Sequence, residues 1–240
     1  LERKKIEIIF ISSIIFISIL LQIAPWYKDM AQIRTSYTFI SNELISLPEP
    51  SYESNFSIEE ALLKRRSTRE YSVGLLTLDE ISQILWAAQG ITHEERLRTA
   101  PSAGGLYPLE LYVVVGDVEG LETGIYHYVP MENNLLKTVD GDKRSDIADA
   151  ALNQDWIEKA SINIIITAIY ERTTEKYGER GIRYVHMEVG HTAQNICLQA
   201  TALNLGVVTV GAFHDDKVVQ ILHLKKDEKP LYIIPIGKIN

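Results

Sequence analysis

Arg65, Arg66 and Arg69, with Ser67 and Thr68 between them, put three guanidiniums and two hydroxyls into five consecutive residues. Such a set is costly to hold together unless an anion shares it. Guanidinium forks match phosphate oxygens bidentately, and the hydroxyls add neutral donors. A solvated basic turn is the plainer reading of the same residues. A second run, Arg98-Thr99-Ala100-Pro101-Ser102-Ala103-Gly104-Gly105, is small and glycine-rich, so backbone N–H groups stay accessible and a flat ligand can come close. Neither G-x-x-x-x-G-K-[ST] nor G-x-G-x-x-G occurs there, which gives no support to a nucleotide P-loop or a Rossmann fingerprint. The third candidate is Lys176-Tyr177, inside the charged run Glu175-Lys176-Tyr177-Gly178-Glu179-Arg180. An amine serves as a base only when it is neutral, so a catalytic lysine here requires a lowered pKa. An ordinary charged loop is the alternative.

Other reactive-looking residues lead nowhere. His186 and His191 are five apart, which on a helix turns ~500° and leaves the rings ~140° apart, unsuited to one metal. His186-Met187-Glu188 has the H-x-E of zinc deaminases without the P-C-x-x-C that completes that site. No metal site is expected, and no G-x-S-x-G elbow supports a hydrolase. Cys197 is the single cysteine, so no disulfide forms within the chain, and among apolar neighbours it reads as a buried, inert thiol. With 24 Lys and Arg against 32 Asp and Glu, the net charge is −8, which argues against a nucleic-acid partner. Local basic clustering on an acidic protein suits a small anion.

These candidates need elements to carry them. Ser57-x-x-Glu60 and Thr77-x-x-Glu80 have the form of capping boxes, each opening an apolar-periodic run, the second stopping at Gly90. Residues 111–115, 125–129, 162–168, 207–210 and 231–234 are rich in β-formers and read as strands. A long helix is expected over 183–204, with Gly206 as its stop signal. The domain over 57–240 is therefore expected to be α/β (α+β), a central mixed sheet flanked by helices. Residues 28–56 read as a linker, punctuated by Pro48-Glu49-Pro50, with a short helix over 30–45.

Ahead of it, Arg3, Lys4 and Lys5 precede the apolar stretch 6–24, uncharged over 8–21. It nearly reaches the ~20 residues of a comfortable span. A membrane anchor over 1–27 and a cleaved signal peptide both fit. The Pro25-Trp26-Tyr27 interface-like ending and the lack of an A-x-A-like site favour the anchor. The basic start would place the globular part outside the cytoplasm, an orientation that only a modest charge bias supports.

Taken in order, RRSTREYS, LWAAQGI, RTAPSAGGLYPLELYVVV, GIYHY, EKYGERGIRYVHMEVGHTAQNICLQATALNLGVVTVGAF and PLYIIPIG resemble the nitroreductase-like flavoproteins over about residues 57–238. They are most similar to the SagB-type branch, azoline-oxidising dehydrogenases of peptide natural-product synthesis. The resemblance implies bound FMN, held by Arg65, Arg66, Ser67 and Arg69 at the phosphate and the pyrimidine edge, where a cation stabilises the anionic reduced ring. It implies an interlocked homodimer in which Pro101, Ser102 and Ala103 reach the flavin of the opposite subunit. Gly211 and Ala212 match a segment against the ring, and Lys238 falls near a C-terminal phosphate contact. Lys176 and Tyr177 match the pair associated with proton removal. The resemblance also leaves room for an NAD(P)H-dependent nitro or quinone reductase. A membrane-tethered binding protein on the same fold, with little turnover, is a reading of another class.

Overall fold

The computed structural model describes residues 44–240. The expected anchor, the greater part of the expected 30–45 helix and the basic start lie outside the described residues. Leu44 and Ile45, at the end of that expected helix, belong instead to a strand.

Seven strands form one sheet: β1 (Leu44–Ser46), β2 (Leu109–Val115), β3 (Gly124–Val129), β4 (Asn134–Asp140), β5 (Ile162–Ile169), β6 (Leu205–Val207) and β7 (Glu228–Lys238), in the order β1-β4-β3-β2-β5-β7-β6. Every ladder is antiparallel. The expected mixed sheet is thus corrected. Parallel pairing is confined to isolated bridges, Ser67 to Val207 and Leu76 to Val118. Both faces of the sheet are covered. Leu111, Val113 and Val115 of β2 join one core with Ile81, Ile84 and Leu85 of α2 (Leu78–Gln89) and with Val185, Val189 and Ile196 of the long helix. Tyr112 and Val114, pointing the other way as the two-residue period demands, join a second core. There they meet Ile147 of α3 (Arg144–Ala150), Ile157 of α4 (Asp155–Lys159), and Val218 and Leu222 of α7 (Asp215–Leu222). Burial on both faces explains why β2 and β5 read as continuous apolar runs.

The remaining helices are α1 (Ile58–Lys64), α5 (Glu171–Tyr177) and α6 (Arg180–Ala202). Thr77 forms the full capping box with Glu80. Ser57 caps α1 from one side only, because the Glu60 carboxylate turns forward to Lys64 at 2.6 Å. The long helix ends at Ala202, and the left-handed position after it is filled by Asn204, φ 56°. Gly206 serves another purpose: a Cβ there would press on Ile239, Thr68 and Tyr71. Among the described residues, no helix is long and apolar enough to cross a membrane.

Candidate functional site

The basic turn follows α1 directly. Arg65 caps that helix, its N–H donating to Ala61 O, and the chain then runs alongside β6, where Thr68 N–H donates to Val207 O at 2.9 Å. That docking places Arg65 and Ser67 at the mouth of a cavity of about 160 Å³, walled by Gly190, Ala193, Gln194 and Cys197 of α6 and by Val208, Thr209 and Tyr232. Gly190 presents bare helix backbone to open space. The lining offers a guanidinium, three hydroxyls and an amide, a donor set suited to an anionic, planar ligand. Such a set fits FMN: Arg65 and Ser67 would hold its phosphate and Gln194 and Thr209 its polar edge.

The other expected flavin contacts are placed differently. Arg66 folds back on the chain, donating to Leu63 O and Arg65 O. Arg69 lies over the Trp156 ring at 5.5 Å. Gly211 does not line the cavity but lies beside the Tyr232 ring, and Ala212 O accepts from Gln154. Lys238 does not line the cavity; its ammonium is ion-paired with Glu80 at 2.5 Å. Cys197 is buried as expected and yet forms part of the wall. Burial pushes its thiol up to about 11, with Arg65 pulling the other way. The liners that the sequence reading passed over, Gly190, Gln194, Thr209 and Tyr232, carry no local signature. Only the packing of α6 against the 208–209 segment brings them together.

Pro101, Ser102 and Ala103 do not line this cavity either. Their loop closes as a 3₁₀ turn, Ala103–Gly105, with Gly104 at φ 66° and Gly105 at φ 65°. The structure brings Lys176 and Tyr177 to that loop, and both lie on the helix α5. A Cβ built on Gly104 would stand 2.7 Å from Tyr177 Oη and 2.9 Å from Lys176 Nζ, so both polar ends converge on this glycine. The helix is pinned by Arg172, which pairs with Glu110 of β2 at 2.6 Å and donates to Tyr107 O at 3.0 Å. Glu110 also bonds His127 at 2.8 Å. Burial opposes its charge, but the Arg172 guanidinium and the bond to His127 hold its carboxyl well below the usual carboxylate range.

A larger cleft, about 590 Å³, lies between residues 49–58, α1, α2 and α6. Tyr52, Phe56 and Trp86 line it beside Glu49, Glu53, Asp79 and Glu80, with no cationic side chain, which disqualifies it as a phosphate receiver. His186 bonds Tyr170 at 2.6 Å, and among the described residues no group of side chains is arranged to hold a metal.

The fold is an antiparallel sheet covered by helices, with a polar cavity beside one edge and a lysine–tyrosine pair set against a glycine loop: an α+β protein. Comparison with known proteins then fixes the family. Residues 62–238 match the model of the nitroreductase family, and the chain belongs to that family, one of oxidoreductases that are typically flavin-dependent. It is similar to MJ1384 of Methanocaldococcus jannaschii, which carries a provisional nitroreductase name, with 52% identity over 181 residues, 75% of this chain and 90% of that protein. McbC of Escherichia coli, a microcin B17-processing protein, is 26% identical over 149 residues, 60% of this chain and 55% of that one. Among solved structures, a nitroreductase-family protein of Ralstonia eutropha superposes with a TM-score of 0.74 at 28% identity, over 84% of this chain and 92% of that chain. The resemblance read from the sequence is borne out at the family level, and its relatives include the peptide-processing branch.

Proposed function

We propose that this chain is an FMN-dependent dehydrogenase of the SagB type, oxidising an azoline-like ring on a small molecule or a modified peptide. The observation that carries it is the convergence of Lys176 Nζ and Tyr177 Oη on Gly104. Oxidation of such a ring removes a hydride and a proton together, and a charged loop without chemical duty has no reason to aim two proton-handling ends at one backbone atom. When bound, FMN supplies the hydride acceptor. The chain's own work is to hold the cofactor's phosphate with Arg65 and Ser67, and to take the substrate proton with Lys176 while Tyr177 orients the ring. Oxygen or another acceptor then takes the electrons.

The working unit is a homodimer. A 160 Å³ cavity is well below the ~300 Å³ at which ligand pockets begin, so one chain encloses only part of a flavin. Ile58, Leu62 and Leu63 of α1 and Ile182 and Met187 of α6 leave apolar surface exposed, as an obligate interface requires.

A second reading, an NAD(P)H-dependent nitro or quinone reductase, is favoured by the nitroreductase name of the 52%-identical archaeal relative. Anaerobic mixing with NADH or NADPH separates the two: rapid bleaching of the flavin supports the reductase. Lys176→Ala is expected to keep bound flavin and to lose oxidation of a supplied azoline; unchanged turnover refutes the dehydrogenase mechanism. Protein that is colourless and takes up no FMN leaves a binding role on the same fold.

A further inference from the structure

Behind the glycine loop lies a buried polar seam that the mechanism above does not use. Glu188 of α6 is 2% exposed, and one of its carboxyl oxygens, Oε1, has no protein partner. The Ser102 hydroxyl reaches the carboxyl, while Ser102 Oγ itself accepts the Tyr107 N–H at 2.9 Å. Arg98, at the start of the loop, is the opposite charge that Glu188 feels. Its guanidinium stacks on the Tyr107 ring at 4.5 Å and donates to Gln89, which donates in turn to Thr192, one helical turn beyond Glu188. Arg98 Nε has no protein partner. One carboxyl is therefore coupled to both ends of the loop, through the Ser102 hydroxyl and through the charge of the arginine that covers Tyr107.

We propose that Glu188 is a positioning residue whose ionisation state sets the 98–107 loop, and with it Gly104, against Lys176 and Tyr177. The two forms make opposite demands. Ionised, the carboxylate accepts from Ser102 and draws Arg98 toward itself, away from the Tyr107 ring. Protonated, it loses that attraction and becomes a donor, leaving Arg98 to Tyr107 and Gln89. The switch falls within the working range, because burial pushes Glu188 up to about 7, with Ser102 and Arg98 pulling it down. The other ionisable groups felt at the seam act through Arg98: Glu110, Arg172 and the Tyr107 phenol. Along its own helix, Tyr184 and His191 stand one turn to either side.

The consequence for turnover rests on the flavin-enzyme reading; the conformational switch does not. Two measurements on the full chain keep them apart. The first follows the backbone amide signals of Ser102, Gly104, Gly105 and Tyr107 by NMR from pH 5.5 to 8.5. The wild type is expected to show one shared titration step near neutral pH, and Glu188→Gln none. The second reconstitutes both forms with FMN and records kcat and KM across the same range with an azoline substrate and with NADPH. Glu188→Gln is expected to retain flavin, to lose the neutral-pH step in kcat and to leave KM within about twofold, while Glu188→Asp restores a step at a shifted midpoint. A titration of those amides that persists unchanged in Glu188→Gln overturns the proposal, whatever the activity does. An amide step that vanishes in a protein unable to bind flavin keeps the switch and removes the enzyme reading.

Discussion

Gly104→Ala is the sharpest perturbation, because it separates folding from chemistry at one atom. The new methyl enters a backbone at φ 66°, where an L side chain costs roughly 1–2 kcal/mol. It also stands 2.7 Å from Tyr177 Oη and 2.9 Å from Lys176 Nζ. Ordinary contact begins near ~3.5 Å, so each end must retreat by more than about half an ångström. Both are ends of side chains and can move, so the stability loss stays near the backbone cost, a fall in Tm of about 3–7 °C for a domain of this size. Turnover is far less tolerant: a misplacement of ~1 Å in a reacting group costs on the order of 100-fold. Thermal unfolding, bound-flavin absorbance and kcat for azoline oxidation, measured on one preparation, give the comparison. Expected are a modest Tm change, retained flavin and kcat lower by at least ~10-fold. A variant with that Tm change and wild-type kcat shows that Lys176 and Tyr177 do not act where they converge, and the dehydrogenase argument fails with it.

Arg65→Ala removes the guanidinium at the mouth of the 160 Å³ cavity. FMN affinity measured by fluorescence titration is expected to fall by at least ~10-fold, the loss of one charge-assisted hydrogen bond of ~1.5–3 kcal/mol; Arg66→Ala, whose side chain lies on its own backbone, is expected to change it little. Glu110→Gln breaks the pair with Arg172 and is expected to cost about 2–3 kcal/mol by denaturant unfolding at pH 7, the lower end of buried-pair losses because Arg172 stays 33% exposed. Since the folded-state pKa of Glu110 is depressed, its stabilisation is present above the ordinary carboxylate pKa and fades as pH falls below it. The gap between wild type and Glu110→Gln should therefore close in acid; a gap that is constant with pH refutes the assignment.

Much of this was legible in the sequence because it is local. The Thr77 box, the β-rich runs of β2, β3 and β5 and the long helix are written within single segments. Arg65-Arg66-Ser67 pointed to a place for an anion, and two of the three, Arg65 and Ser67, line the cavity. What was missed depends on partners far away in the chain. β4 carries Lys137 and Thr138 in its middle, which broke the apolar pattern. Lys137 is buried nonetheless because Glu122 and Asp140 neutralise it at 2.9 and 2.8 Å. The antiparallel sense of the sheet follows from which strands meet, and α5 was not among the elements read because its apolar signal is weak. That helix is held by Arg172 on Glu110, a contact spanning 62 positions. Lys238 shows the converse: a basic residue in a suggestive place, already satisfied by Glu80.

The restraints around Tyr107 explain how so irregular a loop stays in place. Tyr107 occupies the left-handed region, φ 45°, and follows two glycines that do the same. A non-glycine residue there is held against its own preference and relaxes unless neighbours over-determine it. Three of them do, two from the loop itself and one from α5. Ser102 accepts its N–H, Arg172 of α5 donates to its carbonyl, and Arg98 covers its ring. Arg172 is fixed by a carboxylate on β2, a strand paired on both sides. The loop therefore takes its rigidity from the centre of the sheet, and the same arginine that holds Tyr107 also carries the helix bearing Lys176 and Tyr177. Loop and helix cannot drift apart without breaking the Arg172 contact, so the sheet bounds how far Gly104 can shift against the two polar ends.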